Sequence, residues 1–218
     1  MPKQARAIAT RESIIRAAGL VFAEKTYATA TMSDVIREAG VTQGALYFHF
    51  DSKWDLAVAL IKSQHEKSIS IPSELTGLRA LIVMSGALAL QIRTDPVVQA
   101  GMRLSTESSE LFPEYASKPY HDWIDACTVY MEQAIADGEV DARFDAATTA
   151  RYVMSAFTGV QVVSRALTGW EDLSDRLEEM WEAIIRGVAT ESRADDLVGL
   201  ASEVRNEAGH LINADGER

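Results

Sequence analysis

The chain has 218 residues, of which 47% are hydrophobic and 24% charged, and its formal net charge is −11. This composition is typical of a folded globular protein with a sizeable core, and no apolar run approaches the ~18 residues that a membrane span needs. The N-terminal stretch MPKQARAIATRES lacks the apolar centre of a signal peptide, so we expect a cytoplasmic protein. Cys127 is the only cysteine, which excludes an internal disulfide.

Charge is distributed unevenly along the chain. Residues 1–53 contain seven Lys and Arg against five Asp and Glu, a net charge of +2, so the other 165 residues carry −13. Such asymmetry favours an N-terminal part that meets a polyanion. An excess of two charges also arises by chance, so charge alone indicates nucleic-acid binding only weakly.

The sequence pattern of the N-terminal region predicts two helices before Gly40. Apolar residues at helical spacing from Thr10 to about Lys25 predict the first helix. The stretch TMSD, from Thr31 to Asp34, has the pattern of a capping box and predicts the start of a second, short helix. Gly40 is expected to end that helix.

The stretch VTQGALYFHFDSK predicts a third helix and the start of a fourth. Thr42 is a candidate N-cap for a helix from Gln43 to about His49, and the SKWD sequence caps a fourth helix that begins at Lys53. Two short helices joined by a glycine-containing turn are the ingredients of a helix-turn-helix, whose second helix enters the major groove of DNA. Apolar residues of the stretch are expected to pack inward, namely Leu46, Phe48 and Phe50.

The polar and small residues of this pair of helices fit contacts to DNA. Hydroxyls at the start of the second helix suit phosphates, and small residues open the third helix where base edges would lie. Glutamine pairs with adenine through two hydrogen bonds, and a lysine adds a positive charge beside the backbone. The candidate DNA-contacting residues are Thr31, Ser33, Thr42, Gln43, Gly44, Ala45, Tyr47, His49 and Lys53. The alternative for Tyr47 and His49, taken singly, is an ordinary surface position.

The rest of the chain also has helical periodicity and predicts no strand. The predicted helices are one over residues 78–92, one beginning in TDPVVQAGMRL, one from about Trp123 to the ADGE stretch, one over 146–167, one over 173–188 and a short tail helix over 194–212. LFPEYASKPY is predicted to be a proline-bearing loop. Nine or ten helices without a strand predict an all-α fold.

The segment TMSDVIREAGVTQGALYFHFDSKWDL resembles the DNA-binding head of TetR-type transcriptional repressors, a likeness that covers about residues 8–56. The resemblance implies a helix-turn-helix DNA-binding domain over residues 1–52 and a larger helical ligand-binding and dimerisation domain over residues 53–218. It also implies a homodimer that binds a palindromic operator and is released by a small molecule.

Four stretches together are similar to the γ-butyrolactone (autoregulator) receptor branch of that family, over about residues 5–190: VTQGALYFHFDSK, DPVVQAGMRLSTE, KPYHDW and EMWEAIIRG. This likeness implies that Trp123 lines the ligand pocket, with Gln64 and Thr158 near the lactone. Members of the branch usually carry lysine where this chain has Gln43. The operator sequence therefore does not follow from the resemblance.

A ligand cavity in a helical bundle needs apolar walls and a few polar groups. The candidate ligand-binding residues are Gln64, Met84, Leu88, Trp123, Tyr130, Tyr152, Phe157 and Thr158, with Met154, Gln91 and Gln133 as further candidates. The alternative for each apolar member is ordinary core packing. Trp181 is expected to be such a packing residue, beside a dimer interface formed by residues 146–167 and 173–188.

Features of an enzyme are missing from the sequence. Cys127 lies in the middle of a predicted helix among apolar neighbours, where a thiol is normally inert. The four histidines have neither metal-ligand spacing nor a triad pattern, and no glycine-rich phosphate loop occurs. We expect no enzyme activity, metal or cofactor. Two effector classes stay open, a γ-butyrolactone-like signal or an antibiotic or other hydrophobic compound, with control of biosynthesis or efflux.

Overall fold

The computed structural model describes residues 3–68 and 75–216, with side-chain surroundings for residues 4–66 and 75–206. The helices are α1 (Lys3–Glu24), α2 (Met32–Ala39), α3 (Gln43–His49), α4 (Lys53–Ser68), α5 (Gly77–Thr94), α6 (Pro96–Glu107), α7 (Pro113–Ala136), α8 (Ala146–Thr168), α9 (Leu173–Val188) and α10 (Glu191–Gly216), with a 3₁₀ turn over Ser109–Leu111. Within these residues the only β-type pairing is an isolated bridge between Val140 and Ala189. The all-α prediction is confirmed.

Side-chain caps set the starts of the short N-terminal helices, as the sequence predicts. Thr31 Oγ1 accepts from Asp34 N at 3.1 Å, and the Asp34 carboxylate accepts from Thr31 N at 3.1 Å, which completes the capping box of α2. Thr42 Oγ1 accepts from Ala45 N at 3.2 Å and caps α3. Gly40 ends α2 with φ +62°, a left-handed conformation that glycine adopts without steric cost.

The described residues form two compact units. The N-terminal unit comprises residues 3–68 and 95–119, and the C-terminal unit comprises residues 75–94 and 120–216. Helix α4 thus belongs to the same compact unit as α1–α3, and α6 belongs to it as well. The functional boundary at residue 52 stays a prediction, because packing within a unit does not assign a function to it.

Helix α6 approaches α1 and α4 at two glycines of the N-terminal unit. A Cβ placed on Gly19 would lie 2.9 Å from Val97 N, and a Cβ placed on Gly101 would lie 2.4 Å from Gln64 Cβ. Arg103 of α6 is 7% exposed, and its guanidinium donates to the carbonyls of Phe22 and Ala23 at the end of α1. These contacts fasten α6 to the C-terminal carbonyls of α1, which otherwise lack intrahelical partners.

The C-terminal unit is formed by α5, the greater part of α7, and α8–α10. Glu139 accepts from Leu78 N at 2.8 Å and so satisfies an amide at the start of α5. Asp172 fixes the turn between α8 and α9, because it accepts from Ser164 Oγ at 2.6 Å and from Arg176 Nε at 2.7 Å. The hydrogen bond from Ser164, with help from neighbouring donors, lowers the pKa of Asp172 to about 2.

Two helix predictions differ from the structure. Helix α1 begins at Lys3 instead of Thr10, because the largely exposed, alanine-rich residues before Thr10 favour a helix without showing an inward-facing apolar pattern. The prediction of a loop over LFPEYASKPY is wrong, since α7 begins at Pro113 and continues through Pro119. Proline at a first helical position loses no hydrogen bond. Pro119 lies inside the helix, where it lacks the amide that would bond the carbonyl of Tyr115 and its ring crowds that carbonyl.

No single helix in the described part of the chain is long and apolar enough to cross a membrane, and α5 with α6 would meet those criteria only as one broken span.

Replacing Gly101 by Ala is expected to destabilise the protein by about 1–3 kcal/mol, because the added methyl meets Gln64 Cβ and the helices must separate. Gly44→Ala in α3 is the matched control, since a Cβ there meets nothing within 4 Å and alanine favours a helix. Thermal unfolding followed by circular dichroism measures both variants. Equal melting temperatures would contradict a glycine-dependent contact between α4 and α6.

Candidate functional site

Helix α3 presents one face to the core of the N-terminal unit and the opposite face to solvent. Leu46 is fully buried and Phe50 is 4% exposed, whereas Tyr47 is 42% and Phe48 79% exposed. The prediction that Phe48 packs inward is wrong. Each residue turns a helix by about 100°, so Phe48, two residues after Leu46, points about 200° away from it and lies on the outer face.

The hydroxyl of Thr31 is used within the fold. Besides accepting from Asp34 N, Thr31 Oγ1 donates to Asp34 Oδ2 at 2.8 Å. Asp34 is also paired with Lys25 at 2.9 Å and Arg37 at 2.7 Å. The hydrogen bond from Lys25, followed by those from Thr31, holds the pKa of Asp34 well below its usual range. Ser33, in contrast, is exposed at the start of α2. A phosphate contact by either residue stays a prediction.

Lys53 also has a structural role that the sequence did not indicate. Its ammonium donates to the carbonyls of Tyr27 at 2.7 Å and Ala30 at 3.0 Å, and it lies 4.5 Å from the Tyr27 ring centroid. Two of its three N–H donors therefore fasten the connection between α1 and α2. The predicted phosphate contact is untested, and it would fall to the remaining donor.

The arginines of α1 provide positive charge that the site prediction omitted. Arg6, Arg11 and Arg16 are exposed, and among the described residues none of them has a carboxylate oxygen within 4 Å. The Arg11 guanidinium lies 5.3 Å from the ring centroid of Phe50, the residue that ends α3. The net positive charge of residues 1–53 is the sequence signal that could have identified these arginines.

A small apolar cavity lies within the C-terminal unit, between α5, α7, α8 and α9. Its lining residues are Leu81, Ser85, Leu88, Trp123, Cys127, Val153, Met154, Phe157, Met180 and Trp181. The cavity measures about 30 Å³, enough for one or two waters, whereas ligand pockets span about 300–1,000 Å³. A ligand of that size requires the walls to move apart.

Trp181 and Ser85 form a hydrogen-bonded pair in this apolar wall. Trp181 Nε1 donates to Ser85 Oγ at 2.8 Å, and Ser85 Oγ donates to the carbonyl of Ile82 at 2.8 Å. Trp181 is 1% exposed, so its predicted burial is confirmed, but it lies in the cavity wall as well as in the core. Sequence spacing alone does not separate these two positions.

Three of the eight candidate ligand-binding residues meet at the cavity: Leu88, Trp123 and Phe157. Of the other candidates, Met84 is buried in α5, Tyr130 is half-buried in α7 and Thr158 donates to the Met154 carbonyl, all outside the cavity wall as described. Tyr152 is 62% exposed, and Gln64 belongs to the N-terminal unit, beside Gly101. A ligand-binding role for any of the eight stays a prediction.

The outer surfaces of α8 and α9 form an open depression with mostly apolar walls and two charged residues, Arg176 and Glu179. Tyr152, Val160 and Val163 of α8 lie along it, together with Ala183 and Ile184 of α9. Its volume is about 480 Å³. Tyr152 and Val163 are exposed, as is Leu167 further along α8. These helices are those predicted to form the dimer interface.

Two family models match the two parts of the chain. The model described as "Bacterial regulatory proteins, tetR family" matches residues 14–60, and the one described as "Tetracyclin repressor-like, C-terminal domain" matches residues 75–190. The chain belongs to the TetR family. This membership confirms the predicted family and identifies a transcriptional regulator, not an enzyme.

One curated relative and two solved structures match this chain over most of its length. The A-factor receptor protein of Streptomyces griseus is 36% identical over 95% of this chain and 76% of its own length. A crystal structure of an ArpA-like γ-butyrolactone receptor matches with a TM-score of 0.80 at 31% identity, over 93% of this chain and 99% of that one. CprB from Streptomyces coelicolor, solved in complex with its operator sequence, matches with a TM-score of 0.79 at 31% identity and the same coverage.

Cys127 in the cavity wall is expected to resist alkylation. Burial raises the pKa of its thiol to about 11, so at pH 8 only about a thousandth of it is the reactive thiolate. We expect iodoacetamide at pH 8 to label the folded protein far more slowly than the urea-unfolded protein, as measured by mass spectrometry. Labelling of the folded protein is expected to accelerate as the pH rises towards 11. Equal rates for folded and unfolded protein would contradict the burial of Cys127.

Proposed function

We propose that this TetR-family protein is a repressor that binds a palindromic operator as a dimer and is released by a small γ-butyrolactone-like molecule. The observation that carries the proposal is the likeness to the A-factor receptor over 95% of the chain, joined to an apolar cavity whose wall contains Trp123. Operator DNA is its target, so we expect it to act in the cytoplasm.

In the proposed complex α3 lies in the major groove. Gln43 and Gly44 are exposed at its start and suit base edges, where glutamine pairs with adenine. Tyr47, which is 42% exposed, and His49 suit phosphates. Arg11, held over the Phe50 ring, adds a cation next to the same helix.

Dimerisation is proposed to use the outer face of α8 and α9. A second copy of this chain would cover the exposed side chains of Tyr152, Val163 and Leu167, with the two copies related by a twofold axis. The Asp172 hydrogen bonds fix the turn between the two helices. To enter successive major grooves, the two α3 helices of the proposed dimer need to lie about 34–36 Å apart.

Release follows if the effector binds the state that does not fit the operator. The cavity of about 30 Å³ is too small for a lactone with an acyl chain, so binding selects a state in which α5, α7, α8 and α9 have separated. A ligand shifts an equilibrium only through its different affinities for the two states. In this proposal the narrow cavity belongs to the ligand-free state.

An antibiotic or another hydrophobic compound is the second candidate effector. The apolar wall favours it, because Ser85 and Trp181 are already hydrogen-bonded to each other and leave few donors for a polar ligand. The gene controlled would then concern biosynthesis or efflux. Release assays with a panel of γ-butyrolactones and antibiotics distinguish these effectors.

Replacing Gln43 by Ala is expected to weaken operator binding by about 1–3 kcal/mol and to relax selectivity at one base pair. Fluorescence anisotropy with operator variants measures both effects. Tyr47→Phe is expected to weaken binding to all of these operators alike, because it removes a phosphate contact, and to leave the salt dependence unchanged, because the lost hydroxyl is neutral. Val129→Ala, an exposed change on α7, is the control. Unchanged affinity in both α3 variants would refute the DNA-contacting surface.

Trp123→Ala is expected to bind the operator normally but to lose most of its response to the effector, because a cavity wall that contacts the ligand is missing. Gel-shift titration with the panel compound that releases the wild type gives the half-releasing concentration. Val129→Ala on the outer side of the same helix should release like the wild type. If Trp123→Ala is released at the wild-type concentration, the cavity is not the effector site.

A further inference from the structure

Phe48 occupies the centre of the outer face of α3. Leu46 is fully buried and defines the inner direction. At about 100° per residue, Gly44 and Phe48 point about 160° and 200° away from it, while Gln43 and Tyr47 lie on one flank at about 60° and 100°. The side chain that projects farthest from this face is therefore an apolar ring that is 79% exposed.

Gly44 makes the ring of Phe48 more accessible. These residues are four apart and therefore neighbours on the helix surface, and a Cβ on Gly44 would meet nothing within 4 Å. The surface beside Phe48 is thus low and open. On its other side the His49 ring lies edge-on, with the ring centroids 5.0 Å apart. This neighbour limits the ring's freedom and leaves its outer side uncovered.

The major groove offers one apolar group that suits such a ring. Guanine, adenine and cytosine present donors and acceptors there, whereas thymine presents its C5-methyl group beside one acceptor. A phenyl ring that loses water against a donor or acceptor would leave that polar group unsatisfied. Against a methyl group, both partners lose apolar surface to water, which is favourable.

We propose that Phe48 reads a thymine methyl group in each half of the operator. This inference rests on the proposed function, because it needs α3 in the major groove. Base recognition is then shared between Gln43, on the flank of α3, and Phe48, at the centre of its outer face. Sequence preference at that base pair then comes from apolar contact and not from a hydrogen bond.

Deoxyuridine tests the proposal because it differs from thymidine only by the missing C5-methyl. The full-length protein is first used to select its operator from random DNA. Each thymine is then replaced by deoxyuridine in both half-sites, and affinity is measured by fluorescence anisotropy. For the wild type, one symmetric pair of replacements is expected to weaken binding about fourfold per half-site, or about fifteenfold in total. Phe48→Ala is expected to bind both forms of that DNA equally.

Two controls separate the possible outcomes. Leu20→Ala changes an exposed apolar residue of α1 in the same unit and should keep the full effect of the methyl group. Because Phe48 is exposed, its replacement should leave the melting temperature unchanged. If Phe48→Ala still prefers the thymine operator over the uracil operator by the same factor as the wild type, the proposal is overturned. It is also overturned if no thymine replacement affects the wild type. Failure to select any operator would instead refute the proposed function.

Discussion

Close approach of α6 to α1 and α4 is the constraint on which the N-terminal unit depends. It requires glycine at positions 19 and 101, where a Cβ would lie within 3 Å of an atom of the neighbouring helix. The buried guanidinium of Arg103 then satisfies two carbonyls at the end of α1. A buried charge is costly unless its donors are used, so this contact tolerates little displacement. The same core includes Leu46 and Phe50, which fix the orientation of α3.

The cavity of the C-terminal unit depends on apolar packing between its helices. Its walls are apolar and leave a space of only about 30 Å³, so in the proposed mechanism an effector that binds there must separate them. Helix α5, which supplies part of that wall, is followed after the single residue Asp95 by α6. Asp95 also caps α6, with Val97 N donating to Oδ1 at 2.8 Å.

Local chemistry in the sequence accounts for most of the helix starts, but not for every side-chain direction. The caps at Thr31 and Thr42 were predictable because a capping hydrogen bond involves residues only three apart. Apolar character alone predicts an inward position for Phe48, but its spacing from Leu46 places it on the outer face. The roles of Lys53 and Trp181 depend on atoms 23 to 96 residues away. No local pattern encodes such contacts, and the family resemblance did not supply them.

Net charge is a poor guide to DNA binding in this chain, and pairing explains why. A protein with a net charge of −11 should be repelled by DNA if its charges acted together. Screening over about 8–10 Å makes only the nearest charges matter. In α2, Asp34 is ion-paired with Lys25 and Arg37, whereas Arg11, beside the ring of Phe50 that ends α3, has no carboxylate within 4 Å among the described residues. The surface offered to a polyanion is thus less acidic than the composition indicates, because the carboxylate closest to the start of α2 already has its counter-ions.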